Sequence, residues 1–129
     1  MSRTVDIFVD SQVGIKTLVE EIEFLLSIKL QLISYKDDTW YEYRNYRITL
    51  TLGEHEFEND RDMNFAEYRY HISVRAVKSK TETNRQHWRD EFARLVFQKL
   101  KASQKYPLML VSDLQVKLEE FCPALSIAN

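Results

Sequence analysis

The feature that most constrains this chain is a strict alternation of side-chain character in two separate runs. In RITLTL, the apolar Ile48, Leu50 and Leu52 alternate with the polar Arg47, Thr49 and Thr51. In YRYHISVRAV, Tyr68, Tyr70, Ile72, Val74 and Ala76 alternate with Arg69, His71, Ser73 and Arg75. Successive side chains of a β-strand point to opposite faces, so a period of two marks a strand with one face on a core and one turned away from it. A chain with two such strands has to build a sheet and cover one side of it.

Helical spacing supplies the cover. Ile15, Leu18, Val19, Ile22, Leu25 and Leu26 form one apolar stripe, with Lys16, Thr17, Glu20, Glu21 and Glu23 on the other side. Asp10 or Ser11 offers this helix an N-cap. A second helix is expected from Thr83, where Thr83 with Gln86 matches a capping box, and its stripe is Trp88, Phe92, Leu95, Val96 and Leu100. TVDIFVD and KLQLISY read as strands, and Asp37, Asp38 and Thr39 as a turn. WYEYRNYRITLTL reads as one long strand or as two broken near Asn45. PLMLV reads as a last strand. Ser112 with Gln115 then opens a short helix through Leu114, Leu118 and Phe121, ended by Pro123. The expected fold is α+β: an antiparallel meander of four to five strands, two main helices on one face and a short C-terminal helix. At 129 residues the chain has a one-domain length, and two Gly and two Pro suit long regular elements.

Several chemistries are disfavoured. The net charge of −2 provides no global basic field for nucleic acid or anionic lipid. Cys122 is the only cysteine, which excludes an intrachain disulfide and a multi-cysteine metal site. With Gly14 and Gly53 alone, no glycine cradle for phosphate can be built, and the usual nucleotide, zinc-hydrolase and serine-hydrolase motifs are absent. No segment approaches 18 consecutive apolar residues, so a cytoplasmic location without membrane contact is the expectation. No cofactor is expected.

The two alternating runs are separated by GEHEFENDRDMNFAE, fifteen residues between Leu52 and Tyr68, where a hairpin loop usually needs about two to five. Glu54, Glu56, Glu58, Asp60, Asp62 and Glu67 face one Arg61 there, a net of −5. Asp60, Asp62 and Asn64 sit at the first three ligand positions of a calcium loop. Phe65 stands where the turn needs Gly, however, and His71 where a bidentate Glu is needed. Solvated surface charge is the simpler reading. Phe57, Met63 and Phe65 decide the meaning of the stretch. Buried, they pin a decorated loop; exposed, they join the carboxylates as an interaction surface.

Residues 78–105 have the opposite charge, +5 from eight basic and three acidic residues. Such a dipolar chain has a route to head-to-tail or two-fold self-association, although exposed ion pairs steer association more than they hold it. His55, His71 and His87 are the candidate general bases, and His87 with Asp90 and Glu91 has helical spacing for a shared proton or ion. In WYEYRNYR, Trp40, Tyr41, Tyr43 and Tyr46 interleave with Arg44 and Arg47, a mixture that suits stacking on single-stranded bases or contact with a protein.

The functional expectation is a small non-catalytic protein that acts by protein–protein contact, inhibitor- or adaptor-like, with a homodimer as an option. The expected contact residues are Glu54, Glu56, Phe57, Glu58, Asp60, Asp62, Met63 and Phe65, joined by Tyr41, Tyr43 and Arg44. Against a basic, nuclease-like partner the carboxylates would mimic a phosphate backbone. The alternatives are a nucleic-acid module on the Trp/Tyr/Arg strand and basic second helix, and a small enzyme built on His and carboxylate.

Overall fold

The computed structural model describes residues 4–77 and 84–124. It is an α+β fold with one antiparallel sheet of seven strands, in the order β2-β3-β4-β5-β1-β6-β7. The strands are β1 Thr4–Val9, β2 Gln31–Tyr35, β3 Asp38–Arg44, β4 Ile48–Glu54, β5 Tyr70–Ala76, β6 Leu108–Ser112 and β7 Val116–Phe121, with helices α1 Ile15–Leu26 and α2 Arg85–Ser103. Strands β2 to β5 are the expected meander. β1 then inserts beside β5, and the β6–β7 hairpin extends the sheet beyond it.

Both helices lie on one side. Leu18, Val19 and Ile22 of α1 and Ala93, Val96, Phe97 and Leu100 of α2 share a core with Val5, Ile7, Val9, Ile48, Leu50, Leu52, Tyr70, Ile72, Val74, Leu108 and Leu110. These strand residues are alternate positions, as the period of two requires. α1 starts later than the sequence suggests. The Ser11 hydroxyl accepts the Val13 N–H at 3.0 Å in a turn ahead of the helix, and Gly14 is the N-cap. α2 has Asn84 at its N-cap; the expected Thr83 cap lies outside the described residues.

WYEYRNYRITLTL is two strands. The Asn45 side-chain carbonyl accepts the N–H groups of Arg47 and Ile48 at 2.7 and 2.9 Å, an Asx turn that reverses the chain. The expected C-terminal helix is instead strand β7. Asp113 and Leu114 both have left-handed backbone angles, φ 54° and 57°, so the chain turns back on β6. The i, i+4, i+7 spacing of Leu114, Leu118 and Phe121 imitates a helical stripe, but Leu114 lies in the turn and Leu118 at a bulge opposite Leu110 and Val111. The expected count of four to five strands therefore rises to seven.

Among the described residues no helix is long and apolar enough to cross a membrane.

Candidate functional site

The acidic connection crosses the sheet face that the helices leave open. Met63 and Phe65 pin it to the sheet and so drop out of the expected contact surface, while Phe57 stays at the edge of the cluster. Met63 is fully buried and Phe65 is 3% exposed, in a second cluster with Phe8, Tyr68, Met109 and Val111. Phe8, Met109 and Val111 alternate with β1 and β6 residues of the helix-side core, so they bring this second cluster to the opposite face. Phe57 is 37% exposed, with its ring against Phe8, Phe65 and His71 at centroid distances of 6.0, 5.8 and 5.2 Å. Burying side chains of this size contributes on the order of 1.5–3 kcal/mol each.

Polar contacts fix the backbone between these anchors. Asp60 and Met63 exchange both N–H···O bonds at 2.9 Å around a tight turn, with Arg61 at φ 55°. The Asn59 side-chain carbonyl accepts the Ala66 N–H at 2.9 Å, ahead of a single 3₁₀ turn over Phe65–Glu67. Lys117 of β7 donates to the Asp62 carbonyl at 3.0 Å. At the entrance, His55 Nε2–H donates to the Tyr68 carbonyl at 2.6 Å, while His55 Nδ1 accepts the Phe57 N–H at 3.0 Å. This pair of bonds requires a neutral ring protonated on Nε2. Burial lowers the His55 pKa, the bond to Tyr68 opposes that, and the neighbouring His71 lowers it further. Burial and nearby carboxylates push the Tyr68 phenol up to about 12.

All six carboxylates of the connection remain exposed. Arg69 lies 3.5 Å from Glu54, Arg61 3.4 Å from Asp60 and Lys117 4.0 Å from Asp62. Among the described residues, Glu56, Glu58 and Glu67 enter no ion pair. The backbone is thus fixed from below while the charge points to water.

Under the entrance lies a pair absent from the sequence expectation. Asp6, 1% exposed on the interior strand β1, accepts His71 Nε2–H at 2.8 Å and the Thr4 hydroxyl at 2.7 Å. The register Phe8↔His71 stacks that imidazole on Phe8 at 4.7 Å, and His55 stands edge-on at 6.1 Å. A carboxylate this deeply buried needs such partners. The same arrangement orients the imidazole as a proton acceptor would be oriented.

The remaining predicted residues separate. Tyr41 and Tyr43 pack against the helix-side core, and Tyr43 stacks on Phe92 at 6.2 Å. Arg44 points the other way, exposed, with Nε donating to the Thr49 hydroxyl at 3.2 Å. Strand alternation therefore divides Tyr41 and Tyr43 from the acidic surface they were expected to join. His87 pairs with Glu91 at 3.3 Å on exposed α2, across the sheet from His55 and His71, so the three histidines do not converge. Asp90 turns instead to Arg89 at 2.9 Å. Lys101 pairs with Glu119 at 2.7 Å and Lys105 with Glu21, so part of the basic charge is neutralised within the chain. Among the described residues no group of three His, Cys, Asp or Glu side chains stands close enough to hold a metal ion.

No protein-family model matches the chain, and no curated protein matches it.

Proposed function

We propose that the protein acts by protein–protein contact, with the connection between β4 and β5 as an acidic docking face for a basic partner. The observation that carries this reading is the division of the segment. Met63 and Phe65 anchor it in a buried cluster, while Glu54, Glu56, Glu58, Asp60, Asp62 and Glu67 face solvent. A fixed loop loses little conformational freedom on binding, which favours association. A cluster of carboxylates steers a cationic surface to it and suppresses other encounters. Phosphate-mimicking inhibition of a nucleic-acid-binding protein is one form this recognition takes.

Charge layout favours a different protein over a second copy as this partner. The acidic connection and the basic α2 lie on opposite faces of the sheet, so docking one on the other is heterologous and does not close into a pair.

The test replaces Glu54, Glu56, Glu58, Asp60 and Asp62 together with their amides. Binding to a panel of basic nucleases is then measured by titration at low and high salt. The expected result is weaker binding than wild type, with a flatter dependence on salt, because screening acts on the charges removed. Equal affinities and equal salt slopes for the two proteins overturn the proposal.

A further inference from the structure

The two edges of the sheet are built differently. β7 carries Lys117, Glu119 and Glu120 in six residues, with Leu118 as an extra residue in its pairing with β6. Charges and a bulge on an edge strand are the usual defences against pairing with another chain. β2, at the other edge, has neither. Its five residues, Gln31, Leu32, Ile33, Ser34 and Tyr35, contain no charge and no proline, and they pair with β3 without a register shift. Leu32 is 59% and Tyr35 64% exposed, and among the described residues β2 has no partner on its outer side.

The hydrogen bonds of the meander identify the free groups on this edge. The Asn45 N–H donates to the Ile48 carbonyl at 3.0 Å, so on β3 the alternate residues Tyr43 and Tyr41 bond to β4. Asp38, Trp40 and Glu42 therefore bond to β2, through their partners Tyr35, Ile33 and Gln31. The backbone N–H and C=O groups of Leu32 and Ser34 are left pointing outwards.

We infer that β2 pairs antiparallel with β2 of a second copy, around a two-fold axis through Ile33. This register sets Leu32 opposite Ser34 of the other copy, so the outward groups of both strands meet. A shift by one residue would set outward groups against groups already bonded to β3. The register also overlaps all of Gln31–Tyr35 and brings Ile33 against Ile33 at a non-hydrogen-bonded position, where side chains approach most closely. A shift by two residues in either direction gives up part of the overlap. The edge is thus self-complementary in backbone and apolar contact. The inference does not depend on the acidic face, which remains free in the pair.

Sedimentation of the pure protein up to about 1 mM tests it. The expected species has twice the 15.4 kDa mass of the chain. Ile33→Lys sets two ammonium groups against each other on the axis and weakens the pair by about tenfold or more. Leu32→Lys, off the axis and opposite Ser34 of the other copy, weakens it less. Circular dichroism confirms that each variant keeps its sheet. A wild-type monomer over the whole concentration range overturns the inference, and this is also the result if the edge accepts a strand from a different protein. A dimer indifferent to Ile33→Lys overturns it as well, and equal losses from Leu32→Lys and Ile33→Lys overturn the register.

Discussion

If the acidic connection is anchored as a structural part of the protein, truncating its deepest anchor has to destabilise the whole fold. Met63 is the residue to change, since none of its surface is exposed and it packs with Phe8, Phe65, Tyr68, Met109 and Val111. Met63→Ala removes three heavy atoms from this cluster and leaves a cavity beneath the loop. Fully buried truncations of this kind cost about 2–4 kcal/mol, whereas a surface methionine costs within about 0.5 kcal/mol. Urea unfolding followed by the fluorescence of Trp40 and Trp88 measures the difference; an unchanged slope would show that the same surface is exposed on unfolding. A limit applies if the loop can open by itself. The loss then stops at the free energy of local opening, and amide exchange at Asp60 and Met63 rises without a matching shift of the urea midpoint. Met63→Leu, which nearly conserves volume, should cost less than about 1.5 kcal/mol. A Met63→Ala midpoint equal to wild type would refute the reasoning, and with it the premise that the carboxylates stand on a fixed backbone.

His55 gives a pH dependence of known sign. Its pKa in the folded protein lies below the ordinary 6.5, so stability is fully present above pH 6.5 and falls as the pH drops through the folded-state value. His71, with Asp6 behind it, faces His55 and is kept in the His55→Gln variant. The stability of wild type relative to this variant should therefore fall between about pH 7.5 and 5.5; a constant difference would show that the ring is not held neutral. The Asp6–His71 pair is tested by a double-mutant cycle. His71→Leu leaves the buried Asp6 carboxylate with the Thr4 hydroxyl alone and should cost about 1–3 kcal/mol, while adding Asp6→Asn should recover part of the loss. Additive losses would show that the two side chains do not interact.

The parts of the fold legible in the sequence are those with a local period. The α1 stripe and the alternation of β4 and β5 identify their elements because burial on one face repeats within a few residues. Period two also divides Tyr41 and Tyr43 from Arg44, and pooling them as one surface set that alternation aside. The expected C-terminal helix gives way to β7 because Leu114, Leu118 and Phe121 combine a turn residue and a bulge into a helical spacing. The bed beneath the acidic loop left a signal in two short runs, IFV in β1 and LMLV in β6, where apolar side chains occupy consecutive positions. Such runs mark strands covered on both faces, and something had to supply the second cover. The meeting of Asp6 with His71 depends on the register of strands 65 residues apart, and no local pattern carries that information.

The position of β1 has a consequence for the order of assembly. The strand that both covers share is translated before its neighbours, yet Val5 pairs with Val74 on one side and Ser112 on the other. At about 5–20 residues per second, β6 is complete roughly 5–20 s after β1 leaves the ribosome's catalytic centre. During that interval β2, β3 and β4 can close their short turns, whereas β1, buried along most of its length, waits first for β5 and then for β6. Contacts so distant in sequence slow folding. β1 is therefore synthesised early and seated late, and this is the period in which a growing chain most needs protection from aggregation.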